Sequence, residues 1–169
     1  HPGGSAKFRL RSIDANGFPV AEVKTATFET FIPPTAKVKA KIEDAKFNAN
    51  NELVANADAK PGAGAFKATA DGIFGIVRGR VMSNLPIKQN FDAIALNEDQ
   101  PLEGVKFAYP PLAWIGGRFK FDVRELDGNK VFAKTFDRLL FQRATVFIGT
   151  SDMSNYTVQA DVMTDGNRR

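Results

Sequence analysis

Apolar and polar residues alternate at a period of two along most of the chain, and helical periodicity is scarce. In AKFRLRSI, Ala6, Phe8 and Leu10 fall on one side, with Lys7, Arg9 and Arg11 on the other. AKVKAKI is cleaner: Ala36, Val38, Ala40 and Ile42 alternate with Lys37, Lys39 and Lys41. A helix would scatter three lysines at that spacing around its circumference, whereas a strand lines them up on one face. RFKFDVREL repeats the pattern with Phe119, Phe121 and Val123 facing inward, and YTVQADV does so with Tyr156, Val158, Ala160 and Val162. Each stretch predicts a half-buried strand, and the last of them is the strongest strand signal in the chain.

Turn-forming residues fall between these stretches. DANG at 14–17, NANN at 48–51, KPGAG at 60–64 and DGN at 127–129 supply residues that tolerate positive φ. Asp127-Gly128, set between two alternating runs, is the best hairpin signal. Gly72 and Gly75 are placed where the chain reverses between two further strands. Pro33-Pro34 breaks the chain ahead of the lysine-lined stretch, and YPPLAWIGG at 109–117 is a second Pro/Gly segment. Many short strands at this spacing predict an all-β fold of sandwich or barrel type. Polar and turn-forming residues at 82–90 suggest a boundary between a β-sandwich at 1–83 and a second antiparallel β unit at 84–169.

Composition agrees with a packed β interior. Of 169 residues, 43% are hydrophobic and 15 are Phe against 2 Tyr and 1 Trp, a balance that favours sheet cores over a wet aromatic surface. The formal charge of +4 comes from basic residues dispersed between apolar ones, the pattern of solvated sheet faces rather than of a nucleic-acid footprint. Arg78, Arg80 and the three lysines are read the same way, and edge lysines also discourage sheet-to-sheet association. No apolar run approaches the ~20 residues of a membrane helix. The chain opens with His1-Pro2 rather than Met, which suggests a processed product or an excised fragment.

The chemistry-bearing residue types are few. No cysteine is present, and His1 is the single histidine, so there is no material for a thiolate site, a His-based metal site or a Ser-His-Asp triad. Asp122, Glu125, Asp127 and Asp137 could pair for glycoside hydrolysis, but they fall on an outward strand face or in turns, where solvation is their ordinary role. IDANG carries only Asp14 and Asn16 of a calcium-loop pattern and is interrupted by Pro19, so an Asx turn is expected. NYT at 155–157 fits an N-glycosylation acceptor. Trp114 and Tyr109, with Phe107 beside them, flank Pro110-Pro111 and could stack a sugar; burial at one end of a sandwich is the ordinary role of such a segment.

The stretches PGGSAKFRLRSIDANGFPV at 2–20 and NELVANADAKPGAGAFKATADGIFGIVRGRVM at 51–82 resemble the opening and closing phrases of bacterial Ig-like domains in exported proteins. FIGTSDMSNYTVQADVMTDGNRR at 147–169 resembles the point where a paired strand enters a concanavalin-like jelly roll. Together, the order of phrases resembles a segment of large exported bacterial proteins with pyrroloquinoline-quinone-like β-propeller repeats. Only LDGNKVFAKT resembles a blade, with Phe132 in place of the blade's Trp, so no quinone ligand carries over. The resemblance implies an Ig-like sandwich followed by an incomplete jelly roll, located in the periplasm or outside the cell. The expected role is that of a non-catalytic structural or interaction module without a cofactor. Its partner would be the rest of a parent polypeptide, or another chain completing the C-terminal sheet as in a surface layer; no nucleic acid and no membrane span are expected. The alternative is a carbohydrate-binding module using Trp114 and Tyr109.

Overall fold

Residues 1–100, 103–135 and 144–164 are described by the structure, a computed structural model. They form twelve strands: β1 Ser5–Lys7, β2 Leu10–Ile13, β3 Pro19–Val23, β4 Thr27–Phe31, β5 Ala45–Phe47, β6 Glu52–Ala55, β7 Gly62–Ala70, β8 Ile73–Val81, β9 Glu98–Gln100, β10 Val105–Ala108, β11 Phe121–Leu126 and β12 Asn129–Lys134. Every ladder is antiparallel. The sheets run β1-β6-β5, β4-β7-β8, β2-β3 and β12-β11-β10-β9. The fold is therefore all-β. Among the described residues no helix is long and apolar enough to cross a membrane.

The first two sheets share a core. Ala45 and Phe47 of β5 and Leu53 and Ala55 of β6 pack with Phe66 of β7 and Val77 and Val81 of β8, and Ile42 and Ala59 fill the gaps from outside the strands. Phe47 is central: its ring stacks on Phe28 at 3.7 Å, meets Phe66 edge-on at 5.2 Å and lies 5.3 Å from Phe8. Not every Phe is interior, since Phe18, Phe74 and Phe147 are exposed.

Three of the four turn stretches, DANG, NANN and DGN, form where the sequence places them. Asp14 Oδ1 accepts from the N–H groups of Asn16 and Phe18, which is the expected Asx turn of the β2-β3 hairpin. Asn48 Oδ1 accepts from Asn50 and Glu52, while Asn51 takes φ 58° and donates its side-chain amide to the Lys24 carbonyl. Asp127-Gly128 closes the β11-β12 hairpin with φ of 50° and 80°, and Asp71-Gly72 closes β7-β8 with 50° and 75°. Positive φ at both central residues matches the right-handed twist of the flanking strands.

Several sequence expectations are corrected. AKFRLRSI is two strands rather than one: β1 joins β6 and β2 joins β3, with Phe8 and Arg9 at the switch. Phe8 turns toward the Phe47 ring there, and Ala6, expected inside, is exposed. Gly62 and Gly64 lie within β7 rather than in a turn, and Gly75 pairs with Ala68 inside β8. Residues 36–42 form no ladder among the described residues, although Ala36, Val38, Ala40 and Ile42 are each less exposed than the lysines between them. Instead the Ile42 backbone passes so close to Gly64 that a Cβ there would lie 2.7 Å from the Ile42 nitrogen. Gly64 sits opposite Gly79, and this bare pair admits the 41–42 backbone against the sheet. Residues 156–163 likewise have no ladder partner among the described residues, and Tyr156, Val158, Val162 and Met163 are exposed. Asp137 and the closing TDGNRR from residue 165 onward lie outside the described residues.

In the second part of the chain, β9 to β12 form a meander in sequence order. β11 begins at Phe121, while Phe119 belongs to a short 3-10 turn, Gly117–Phe119, ahead of it. Val123 is fully buried beside its cross-strand partner Phe132, whose ring stacks on Phe121 at 4.7 Å. Asp122 was expected to face solvent and is instead only 2% exposed. Its two oxygens accept from Arg124 Nε at 2.7 Å and Nη2 at 2.6 Å, and Arg124 Nη1 donates to Glu103. Asp122 and Arg124 share a face because they are two residues apart, so the face read as solvated is closed by an internal ion-pair network.

Candidate functional site

A cleft of about 260 Å³ opens where β7 and β8 meet residues 33–40 and the Pro/Gly segment at 109–118. Its floor follows from cross-strand pairing. Arg78 lies opposite Ala65 and Arg80 opposite Ala63, so two long basic side chains on one face of β8 confront two methyl groups on β7. Small residues opposite large ones leave a hollow. Ala36, Val38 and Ala40 line it from the lysine-rich stretch, whose Lys37, Lys39 and Lys41 point to solvent.

The other wall is the 109–118 segment. Trp114 N–H donates to the Pro111 carbonyl at 2.9 Å, which closes a turn around the prolines. Ile115 exchanges both backbone hydrogen bonds with Phe147 at 2.9 Å. Gly116 has φ 85°, and a Cβ there would meet the Thr145 carbonyl oxygen at 2.8 Å, so only glycine fits. The loop is thus held at its neck. Arg80 Nε donates to the Leu112 carbonyl at 3.3 Å, which ties β8 to this wall and orients the guanidinium.

Tyr109 and Trp114 both line the cleft, but Phe107 does not: it is buried, edge-on to Tyr109 at 5.3 Å. Trp114 is half-buried and perpendicular to Phe91 at 5.8 Å and to Phe132 at 5.2 Å. The Arg118 guanidinium lies over the Tyr109 ring, 4.9 Å from its centre. One face of Tyr109 therefore carries a cation, and Trp114 serves the aromatic core of the β9–β12 sheet while reaching the cleft. Arg78, Arg80 and Arg118 line the hollow, and none of its described lining residues is a carboxylate. Arg78 and Arg80 are exposed, as their place on a polar strand face predicts, but the alternation alone does not reveal their convergence with the aromatic wall. Their i, i+2 spacing was the available signal; Arg118 had none, because only the loop path brings it there.

Of the carboxylates considered for hydrolysis, the three among the described residues do not assemble. Asp122 is buried in its ion pair, Glu125 is exposed opposite Lys130, and Asp127 occupies a hairpin turn. Asp122 first, then Glu103, raise the Arg124 pKa further above its ordinary value, so the guanidinium stays charged. A second hollow of about 410 Å³, lined by Phe28, Phe47, Phe66, Lys46 and Asn48, opens beside the aromatic core of the sandwich. Among the described residues no three side chains of metal-binding type converge.

No protein-family model matches the chain, and no match was found among curated proteins or solved structures.

Proposed function

We propose that the chain is a non-catalytic structural and interaction β module of an exported bacterial multidomain protein, working in the periplasm or outside the cell. One observation carries the reading. Residues 156–163 have the alternation of a strand and present Tyr156, Val158 and Val162 to solvent without a ladder partner among the described residues. Apolar residues exposed in register are a template for strand addition. β8 ends its sheet as an edge strand and exposes Phe74 and Ile76 on the face it shares with Arg78. In this reading the segment is completed by another chain or by the rest of a parent polypeptide, as the likeness to Ig-like and jelly-roll phrases implies. Light scattering over a concentration series, with amide exchange on residues 156–163, tests it. Association with protection of the segment is expected, and Val158→Lys with Val162→Lys should abolish both. A monomer at every concentration whose segment exchanges without protection would refute assembly through it.

A second reading, a carbohydrate-binding module, is favoured by the cleft that Trp114 and Tyr109 line. A glycan array compared with Trp114→Ala tests it, since a sugar site there loses its signal with the indole.

A further inference from the structure

We propose that the cleft between β8 and the 109–118 segment binds a carboxylate-bearing sugar unit, such as the end of a uronic-acid oligosaccharide. The inference rests on the carbohydrate-binding reading of Trp114 and Tyr109 and specifies the ligand's charge. Two guanidinium groups, those of Arg78 and Arg80, line one hollow from the same face of β8, with no Asp or Glu among its described lining residues. A planar guanidinium matches a carboxylate through two parallel hydrogen bonds, a geometry that a neutral sugar cannot use. Lys37, Lys39 and Lys41 alternate with the apolar residues that line the same hollow, so the surrounding field is positive as well.

The site is partly preorganised. Arg80 is tethered through Nε to the Leu112 carbonyl, and Arg118 is laid on the Tyr109 ring. An anchored guanidinium such as that of Arg80 loses less side-chain freedom when a ligand arrives. The aromatic rings set the second half of the preference: a sugar ring stacks on an apolar plane while its acid group reaches the arginines. A cleft of about 260 Å³ lies just below the ~300–1,000 Å³ range of small-molecule sites. That size suits one sugar unit at a chain end rather than a buried chain.

Isothermal titration with tetragalacturonate, a neutral galactose tetrasaccharide and inorganic sulfate tests the proposal. The acidic tetramer should bind at least tenfold more tightly than the neutral one, a difference of about 1.4 kcal/mol. Arg78→Gln with Arg80→Gln should remove that preference, and Trp114→Ala should weaken both sugars. Circular dichroism confirms that the variants remain folded. Equal binding of the two sugars overturns the charge assignment and leaves the carbohydrate reading standing. Binding of neither sugar overturns both. Sulfate binding as tightly as the acidic tetramer, or a preference unchanged in the double arginine variant, also overturns the assignment.

Discussion

Replacing Asp122 with Ala removes the carboxylate that holds Arg124 through two hydrogen bonds of 2.6 and 2.7 Å. Asp122 is 2% exposed, and the side chains of Arg124 and Glu103 are 14% and 22% exposed, so little water is available to take over. Breaking a buried ion pair by deleting one partner costs about 3–5 kcal/mol, because the remaining charge stays desolvated. Glu103 still accepts from Arg124, which places the expected loss near the lower end, at about 3 kcal/mol. That is a large part of the ~5–15 kcal/mol that holds a typical domain folded. Urea unfolding should show a lower midpoint with an unchanged slope. Asp122→Asn, which keeps the volume and one acceptor oxygen, should cost less than Asp122→Ala. A variant carrying Asp122→Leu, Arg124→Met and Glu103→Leu should recover to within about 1 kcal/mol of the parent, since apolar side chains of similar volume replace such networks without penalty. A loss below about 1 kcal/mol for Asp122→Ala, the range of surface pairs, would refute the argument. So would a triple variant less stable than the single one.

Other expectations follow from the same geometry. Gly64→Ala drives a methyl group against the Ile42 backbone and should destabilise by about 1–3 kcal/mol in urea unfolding, as overpacking does, whereas Gly75→Ala meets nothing within 4 Å and should be nearly neutral. Glu52 has its pKa lowered from the ordinary 4.5 by the Ser5 hydroxyl and then by the Asn48 amide. A depressed carboxylate contributes stability that is complete above its unfolded value and disappears as pH falls through its lower folded value. The stability gap between the parent and Glu52→Gln should therefore be constant above about pH 5 and close below pH 4.5, as followed by thermal unfolding. Gly128→Ala forces a methyl-bearing residue to φ 80° and should cost about 1–2 kcal/mol by the same unfolding assay.

Local features were legible in the residues alone. Asp14, Asn48 and Asp127-Gly128 form their turns because side-chain capping and positive φ are decided within four residues. The period-2 pattern also reported facing correctly at residues 36–42, where the apolar positions are the less exposed ones. What the pattern could not report is a partner. Residues 36–42 lie against a Gly64–Gly79 pair that no local signal connects with them, and 156–163 present the strongest strand pattern with no ladder among the described residues. A ladder needs a second strand brought in from far along the chain, and propensity measures only how well a side chain suits a pleated surface. Asp122 makes the same point in charge: alternation put it on the polar face, and Glu103, nineteen positions earlier, decided that the face is closed. The cleft also belongs to tertiary structure. Arg78 and Arg80 were legible as one face of a strand, but their meeting with Arg118, Tyr109 and Trp114 depends on a loop pinned to Phe147 and on Arg80 reaching the Leu112 carbonyl.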